Sequence, residues 1–269
     1  MSNVEESSQY SKMRKLEQKL SKIDKRDRML QKNRKSNLVV LEEVFDTSTL
    51  KVLYRLFNKG IIDTIFGVIS SGKESRVYRG LDADGKNIAI KIYLTSSKEF
   101  RKGMIIYIEG DPRFRLKKRD TRSLIFAWAQ KEYKNLQRAF NVGIRVPNPI
   151  YVNKNVLVME FIGEDDVAAP TLKEVPPRKP QQMYNIVLKY VKLLFQKAKL
   201  VHGDLSEYNI MHLDDKPIIF DLAQTVLIAH PRAQEFLKRD LKNINRFFTK
   251  LGVKVKDVED AFKWVIKDD

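Results

Sequence analysis

The chain of 269 residues contains no cysteine. Disulfides and cysteine-ligated zinc are therefore excluded, and a reducing, cytoplasmic setting is the natural expectation. Long apolar runs are missing too, since none approaches the roughly 18 residues that a membrane span requires. The first residues, MSNVEESSQYSKMRK, hold no apolar h-region, so neither secretion nor a membrane role is expected. Acidic side chains are in deficit. Against 51 Lys and Arg there are 34 Asp and Glu, a net charge of +17. Such an imbalance points to a polyanionic partner, nucleic acid first and anionic membrane second, with solubility as the competing explanation. The basic residues gather in 1–40, 98–122 and 232–256.

What is present suffices for a sizeable core, since 43% of residues are hydrophobic. Residues 1–42 read as a basic extension, helical over 11–34 or disordered. Over 43–161 the pattern is sheet-rich. DTSTLKVLYRLFNKG is a helix with cap candidates Asp46 and Thr47 and a stop at Gly60. TIFGVIS, SRVYRGL and NIAIKIY are strands, the last two joined by the turn DADG. Residues 95–120 read as an irregular basic connection. TRSLIFAWAQKEYKNLQRAF is a helix, and NVLVMEF a buried strand. Residues 162–269 are helix-rich, with helices expected over 181–199, 232–249 and 257–267. The fold class is thus α+β in two lobes, with a cleft between them as the natural ligand site.

The stretch HGDLSEYNIMHLDDKPIIFDLA, from His202 to Ala223, carries three polar residues that folding does not require: Asp204, Asn209 and Asp221. NIMHL and PIIF form a hairpin. If its loop is Asp214-Asp215-Lys216, Leu213 faces Pro217 and Asn209 faces Asp221 at the open end. An amide oxygen and a carboxylate so placed suit one hard cation such as Mg²⁺. Asp204 can approach a substrate hydroxyl. Singly, each is more often a turn or cap residue. Together they match the phosphoryl-transfer pattern of a hydroxyl-orienting Asp followed by Asn and Asp on metal. Lys91, inside the strand IAIKIY, then becomes a phosphate clamp, and a buried lysine needs an anion. Glu132 interrupts the apolar stripe Leu124, Trp128 and Leu136, so a Lys91–Glu132 pair solves both burial problems. Otherwise Glu132 sits at the stripe's edge beside Lys131 or Arg138. In GVISSGKESRVYRG, Gly72 permits close backbone approach to phosphate. Ser70, Ser71 and Ser75 offer hydroxyls, and Lys73 adds charge. In VLVMEFIGE, the Glu160 carbonyl and Ile162 amide are candidates for a base edge, with Met159 setting the pocket's depth.

These stretches, with GDPRF and KEYKNLQRA, resemble the RIO family of atypical serine protein kinases over roughly residues 43–250. The likeness is to the first subgroup, and to its archaeal members. The resemblance implies a small two-lobed protein-kinase-like fold with a truncated helical C-lobe that lacks the peptide-docking subdomain. It implies ATP with Mg²⁺ or Mn²⁺, and work on the pre-small-ribosomal-subunit particle, its ribosomal RNA and its ribosomal proteins. Carried over, Asp204 is the catalytic base, and Asn209 and Asp221 hold metal. Lys91 binds phosphate, and Glu132 orients it. Asp221 is also a candidate acyl-phosphate site. Val77, Ala89 and Met211 join the nucleotide pocket.

His202-Gly203-Asp204 departs from the H-R-D of ordinary protein kinases. Asp221-Leu222-Ala223 departs from D-F-G, and no A-P-E follows. Two other readings compete: a small-molecule phosphotransferase of the aminoglycoside or choline kinase type, and an RNA-binding module with vestigial catalysis.

Overall fold

Asp46 opens the first helix. Its carboxylate accepts the Thr49 N–H at 2.8 Å, satisfying a donor that no helical carbonyl can reach. Helix α1 runs over Thr47–Asn58 and ends at Gly60, whose φ of 68° is most easily adopted by a residue without Cβ. The computed structural model describes residues 45–95, 100–109, 111–113 and 120–267. The helix expected over 11–34 lies outside them.

Five antiparallel strands follow: β1 Thr64–Ser71, β2 Ser75–Leu81, β3 Asn87–Tyr93, β4 Pro149–Asn153 and β5 Val156–Glu160. They form one sheet in the order β1-β2-β3-β5-β4. Strand β3 lies at its centre, buried on both faces. Ile88, Ile90 and Ile92 pack with Val52, Leu53 and Leu56 of α1. Ala89 and Tyr93 point the other way, into the main core. Strand alternation therefore puts Lys91 on the face opposite α1.

Helix α2 spans Phe100–Ile108, and α3 spans Thr121–Asn141 behind the cap Asp120. Helix α3 packs on β4 and β5. Three short antiparallel pairs come later: β6 Gly163–Glu164 with β7 Val167–Ala168, β8 Leu200–Val201 with β11 Val226–Leu227, and β9 Ile210–Leu213 with β10 Lys216–Ile219. Helices α4 Pro180–Gln196, α5 Ala233–Lys250 and α6 Val258–Ile266 complete the helical half. The two halves give an α+β fold with a β-sheet lobe and a helical lobe. Among the described residues no helix is long and apolar enough to cross a membrane.

Two expectations need correction. Residues 95–120 are not wholly irregular, because α2 lies within them. Met104, Tyr107 and Ile108 supply an i, i+3, i+4 apolar face, and Tyr107 packs against Trp128 and Phe236. The hairpin loop holds two residues, not three. Lys216 faces Leu213 and Pro217 faces His212. Asp214 and Asp215 both adopt positive φ, 51° and 56°, as the primed two-residue turn of a twisted hairpin demands. Asn209 consequently faces Phe220 and accepts its N–H at 3.1 Å, so Asp221 lies one residue beyond the predicted pairing.

Candidate active site

A cleft of 490 Å³ separates the sheet from the helical half. On its wall stands Lys91, only 6% exposed. Its Nζ donates to Glu132 at 2.8 Å and to Asp221 at 3.0 Å. The anion expected from the interrupted stripe of α3 is thus in place. Glu132 does not sit at an exposed edge, and its own oxygens are shared, because Tyr93 Oη donates to the second one. Burial alone would push the Lys91 ammonium down. Asp221 and Glu132 more than offset it, and the lysine stays charged well above its ordinary range. Burial raises Glu132 despite Lys91. It also raises Asp221, but there the lysine wins and holds the carboxyl below the usual aspartate range.

Asp221 reaches this position through its backbone. Its φ of 57° is rare for a residue with Cβ and costs on the order of 1 kcal/mol or more. The turn takes the side chain off the hairpin ladder and into the cleft, where it is 45% exposed.

Of residues 202–209 on the helical half, Tyr208 and Asn209 line the cleft, and Asp204 lies behind Asn209 rather than in the lining. Buried His202 ties this loop to the end of the hairpin, since its Nδ1 accepts the Asp204 N–H and its Nε2 faces the Phe220 carbonyl, each at 3.3 Å. Burial pushes this imidazole down to about 4, so it is neutral. Gly203 has φ 80°, and a Cβ there would lie 3.1 Å from the Gln224 carbonyl oxygen. Asp204 is half-buried and raised above its ordinary range, first by burial and then by the Asp221 charge. Asn209 Nδ2 donates to the Asp204 carbonyl at 2.7 Å. That commits the amide nitrogen and leaves Oδ1 as the acceptor end.

Of the predicted nucleotide contacts, Gly72, Lys73, Ser75, Val77, Ala89, Met159, Glu160, Ile162 and Met211 line the cleft. Ser71 does not. It pairs with Arg76 at the strand end and faces solvent, whereas Ser70, also a candidate hydroxyl, does line the cleft, and so does Glu74. The Glu160 carboxylate is clamped by Arg145 at 2.7 and 2.6 Å.

The donor set suits a magnesium nucleotide. Mg²⁺ commonly takes one or two protein oxygens and completes its shell with phosphates and water. Asn209 and Asp221 supply that number. Among the described residues no cluster of three or more His, Asp or Glu forms a fuller cage. Apolar Val77, Ala89, Met159 and Ile162 offer a slot for a flat base, and Lys91 a cation for phosphate.

Comparison with known proteins decides the family. The RIO domain matches residues 76–261. The chain belongs to the RIO family of atypical protein kinases. It is 43% identical over 230 residues to the RIO-type serine/threonine-protein kinase Rio1 of Haloferax volcanii, covering 86% of this chain and 78% of that one. It is 38% identical to the Rio1 of Methanocaldococcus jannaschii over 88% of this chain and 81% of the relative. Human RIO1 is 40% identical over 86% of this chain, which spans only 41% of that longer protein. Among solved structures, the Rio2 kinase–ADP/Mg²⁺–phosphoaspartate complex from Chaetomium thermophilum superposes with a TM-score of 0.62 at 25% identity. That match covers 82% of this chain and 67% of the other.

Several residues of this RIO site escape sequence reasoning. Asp240 of α5 is buried and accepts the N–H groups of Gly203 at 2.8 Å and Leu205 at 2.9 Å, bracketing Asp204. Its neighbour Arg239 donates to the Gly203 carbonyl and to Tyr107 Oη. Lys131 and Asn135, fully buried on α3, reach the backbone after Asp221. Only one signal was available: charged or amide residues at core positions of otherwise apolar helix faces.

Proposed function

We propose that this RIO-family chain transfers phosphate from ATP, with Mg²⁺ or Mn²⁺, as a serine kinase and ATPase. The observation that carries the reading is Lys91 bridging Glu132 and Asp221 at the cleft wall, with Asn209 lining the same cleft and bonded to Asp204. Lys91 neutralises phosphate oxygens, and Glu132 with Tyr93 keeps its ammonium aimed. Asn209 Oδ1 and the Asp221 carboxylate are the oxygens that would hold the cation. When bound, the cation draws charge from the phosphates and so favours their transfer. Asp204 orients the attacking hydroxyl and takes its proton. Its raised affinity for protons, set by burial and by Asp221, suits a base. Neutral His202 braces the loop without competing for that proton.

The Rio2 complex contains a phosphoaspartate. In this chain Asp221 is the corresponding candidate, which gives a second route in which the carboxylate takes the phosphate before water does. The two routes separate by chemistry. An acyl phosphate is cleaved by hydroxylamine, and a phosphoserine is not.

The charge supports a pre-small-ribosomal-subunit partner, through its ribosomal RNA and ribosomal proteins, and with it a cytoplasmic location. Within 232–256, Arg232 and Lys238 are paired with Glu235 and Glu259, and Arg239 turns inward. Lys242, Arg246, Lys250, Lys254 and Lys256 remain exposed for RNA phosphate. The deciding experiment measures ATP turnover alone and with small-subunit particles, for the wild type and Asp204→Asn. Loss of a general base costs about 10²–10⁴ in rate with ATP affinity spared. Wild-type turnover in Asp204→Asn removes the base from the mechanism. Turnover indifferent to particles returns the charge to solubility.

A further inference from the structure

Between Asp221 and β11 the chain has neither helix nor ladder, yet Leu222, Ala223 and Thr225 are buried. Buried carbonyls need donors. Here they come from α3. Lys131 Nζ donates to the Ala223 carbonyl at 2.9 Å and to that of Thr225 at 2.6 Å. One turn further along, Asn135 Nδ2 donates to Leu222 at 2.9 Å and Thr225 at 3.0 Å. Arg113 Nη1 donates to Asn135 Oδ1 at 2.8 Å, which fixes the amide's orientation, and Arg113 is itself tied to Asp111 at 2.6 Å.

The placement matters because Glu132 leaves the same helix beside Lys131. One rigid element thus grips Lys91 through Glu132 and grips the carbonyls after Asp221 through Lys131 and Asn135. A wholly buried ammonium without a bonded carboxylate is a costly way merely to fill space. Burial drives Lys131 down to about 7. Apolar side chains would fill the same volume without that cost, but would leave the carbonyls unanswered.

We propose that Lys131 and Asn135 are positioning residues for phosphoryl transfer, holding Asp221 at a fixed offset from the Lys91–Glu132 pair. The proposal rests on the reading of Asp221 as the metal carboxylate. Ordinary protein kinases can place this segment with a phosphate bound to the arginine of H-R-D. Here His202-Gly203-Asp204 has no such arginine, and bonds made on folding do the placing.

The test uses the full chain and a fluorescent methylanthraniloyl-ADP, with affinity measured in EDTA and again in saturating Mg²⁺. Variants are Asn135→Leu, Lys131→Met, Arg113→Gln and Asp221→Asn. In Asn135→Leu and Lys131→Met, affinity in EDTA stays within about threefold of wild type, while the gain on adding Mg²⁺ falls by about tenfold, the loss of one to two buried hydrogen bonds. Arg113→Gln, one bond further from the carbonyls, moves the same quantity less and keeps the test decisive if the Lys131 and Asn135 variants fail to fold. General loosening would instead lower both affinities together with the melting temperature. If Asp221→Asn abolishes the Mg²⁺ gain while Asn135→Leu and Arg113→Gln retain it in full, the positioning role is overturned. If Asp221→Asn itself retains the gain, the metal reading of Asp221 falls, and the positioning proposal falls with it.

Discussion

Replacing Gly203 by alanine loads the strain at the residue next to Asp204. A left-handed backbone costs an L residue about 1–2 kcal/mol. The new Cβ would lie 3.1 Å from the Gln224 carbonyl oxygen and 3.5 Å from the Tyr107 ring, which adds to that cost. The protein can bear the strain or move the loop. Moving it gives up the two N–H bonds to Asp240, at 2.8 and 2.9 Å. Bonds to a charged group contribute about 1.5–3 kcal/mol each, so movement costs about 3–6 kcal/mol and the loop should stay. Gly203→Ala is therefore expected to melt about 2–8 °C lower, with turnover within about threefold of wild type. Thermal melts and ATP turnover at about pH 8 measure both, because burial pushes Asp240 up to about 7 and it must be ionised to accept at full strength. An unchanged melting temperature with turnover down about a hundredfold would refute the reasoning, since it would mean that the loop had moved and taken Asp204 with it.

Asp221→Ala should abolish metal-dependent turnover, whereas Asn209→Ala, which removes a neutral ligand, should shift the Mg²⁺ requirement to higher concentration; equal effects in a metal titration would contradict the assignment. One residue inserted between Asp214 and Asp215 should change every pairing in β9–β10 and displace Asn209 from Phe220, so that activity falls without any ligand being altered; unchanged metal dependence would dissociate the hairpin from the site. His202 is buried and depressed to about 4 from an ordinary 6.5, so the unfolded chain binds its proton first as pH falls. Stability should therefore be lost between about pH 6.5 and 4, with about 2 kcal/mol gone by pH 5 in denaturant melts. His202→Gln should flatten that limb, and an unflattened limb would assign it to other groups.

The residues that build the cleft were legible where periodicity and chemistry disagreed. Lys91 stood out because a strand buried on both faces has no solvent for an ammonium. Glu132 stood out because it broke a stripe. The same logic applies to Lys131 and Asp240, but Glu132 and Arg239 beside them offer innocent surface partners of opposite charge, and Asn135 is a neutral amide that ordinarily sits on a helix surface, so no single stripe exposes them. The hairpin register failed by one residue for a physical reason. Lys216 was counted as loop, yet its backbone pairs with Leu213 while its side chain remains in solvent. Two adjacent aspartates at positive φ close the turn without it. Helix α2 was hidden by the basic residues around its three-residue apolar face. Ser70 and Ser71 are both candidates in the sequence, and only the structure tells which of two adjacent serines at a strand end turns inward.

The bonds from Asp240 also decide how the protein breathes. The Gly203 and Leu205 amides lie in a segment without regular structure, where exchange with solvent deuterium is ordinarily fast. Held by a buried side chain of α5, they can open only with that helix, and should exchange as slowly as its interior. The loop bearing Asp204 thus moves with the helical half, while Lys91 moves with the sheet. The cleft is a seam between these two halves, and a nucleotide spanning it protects amides on both sides at once.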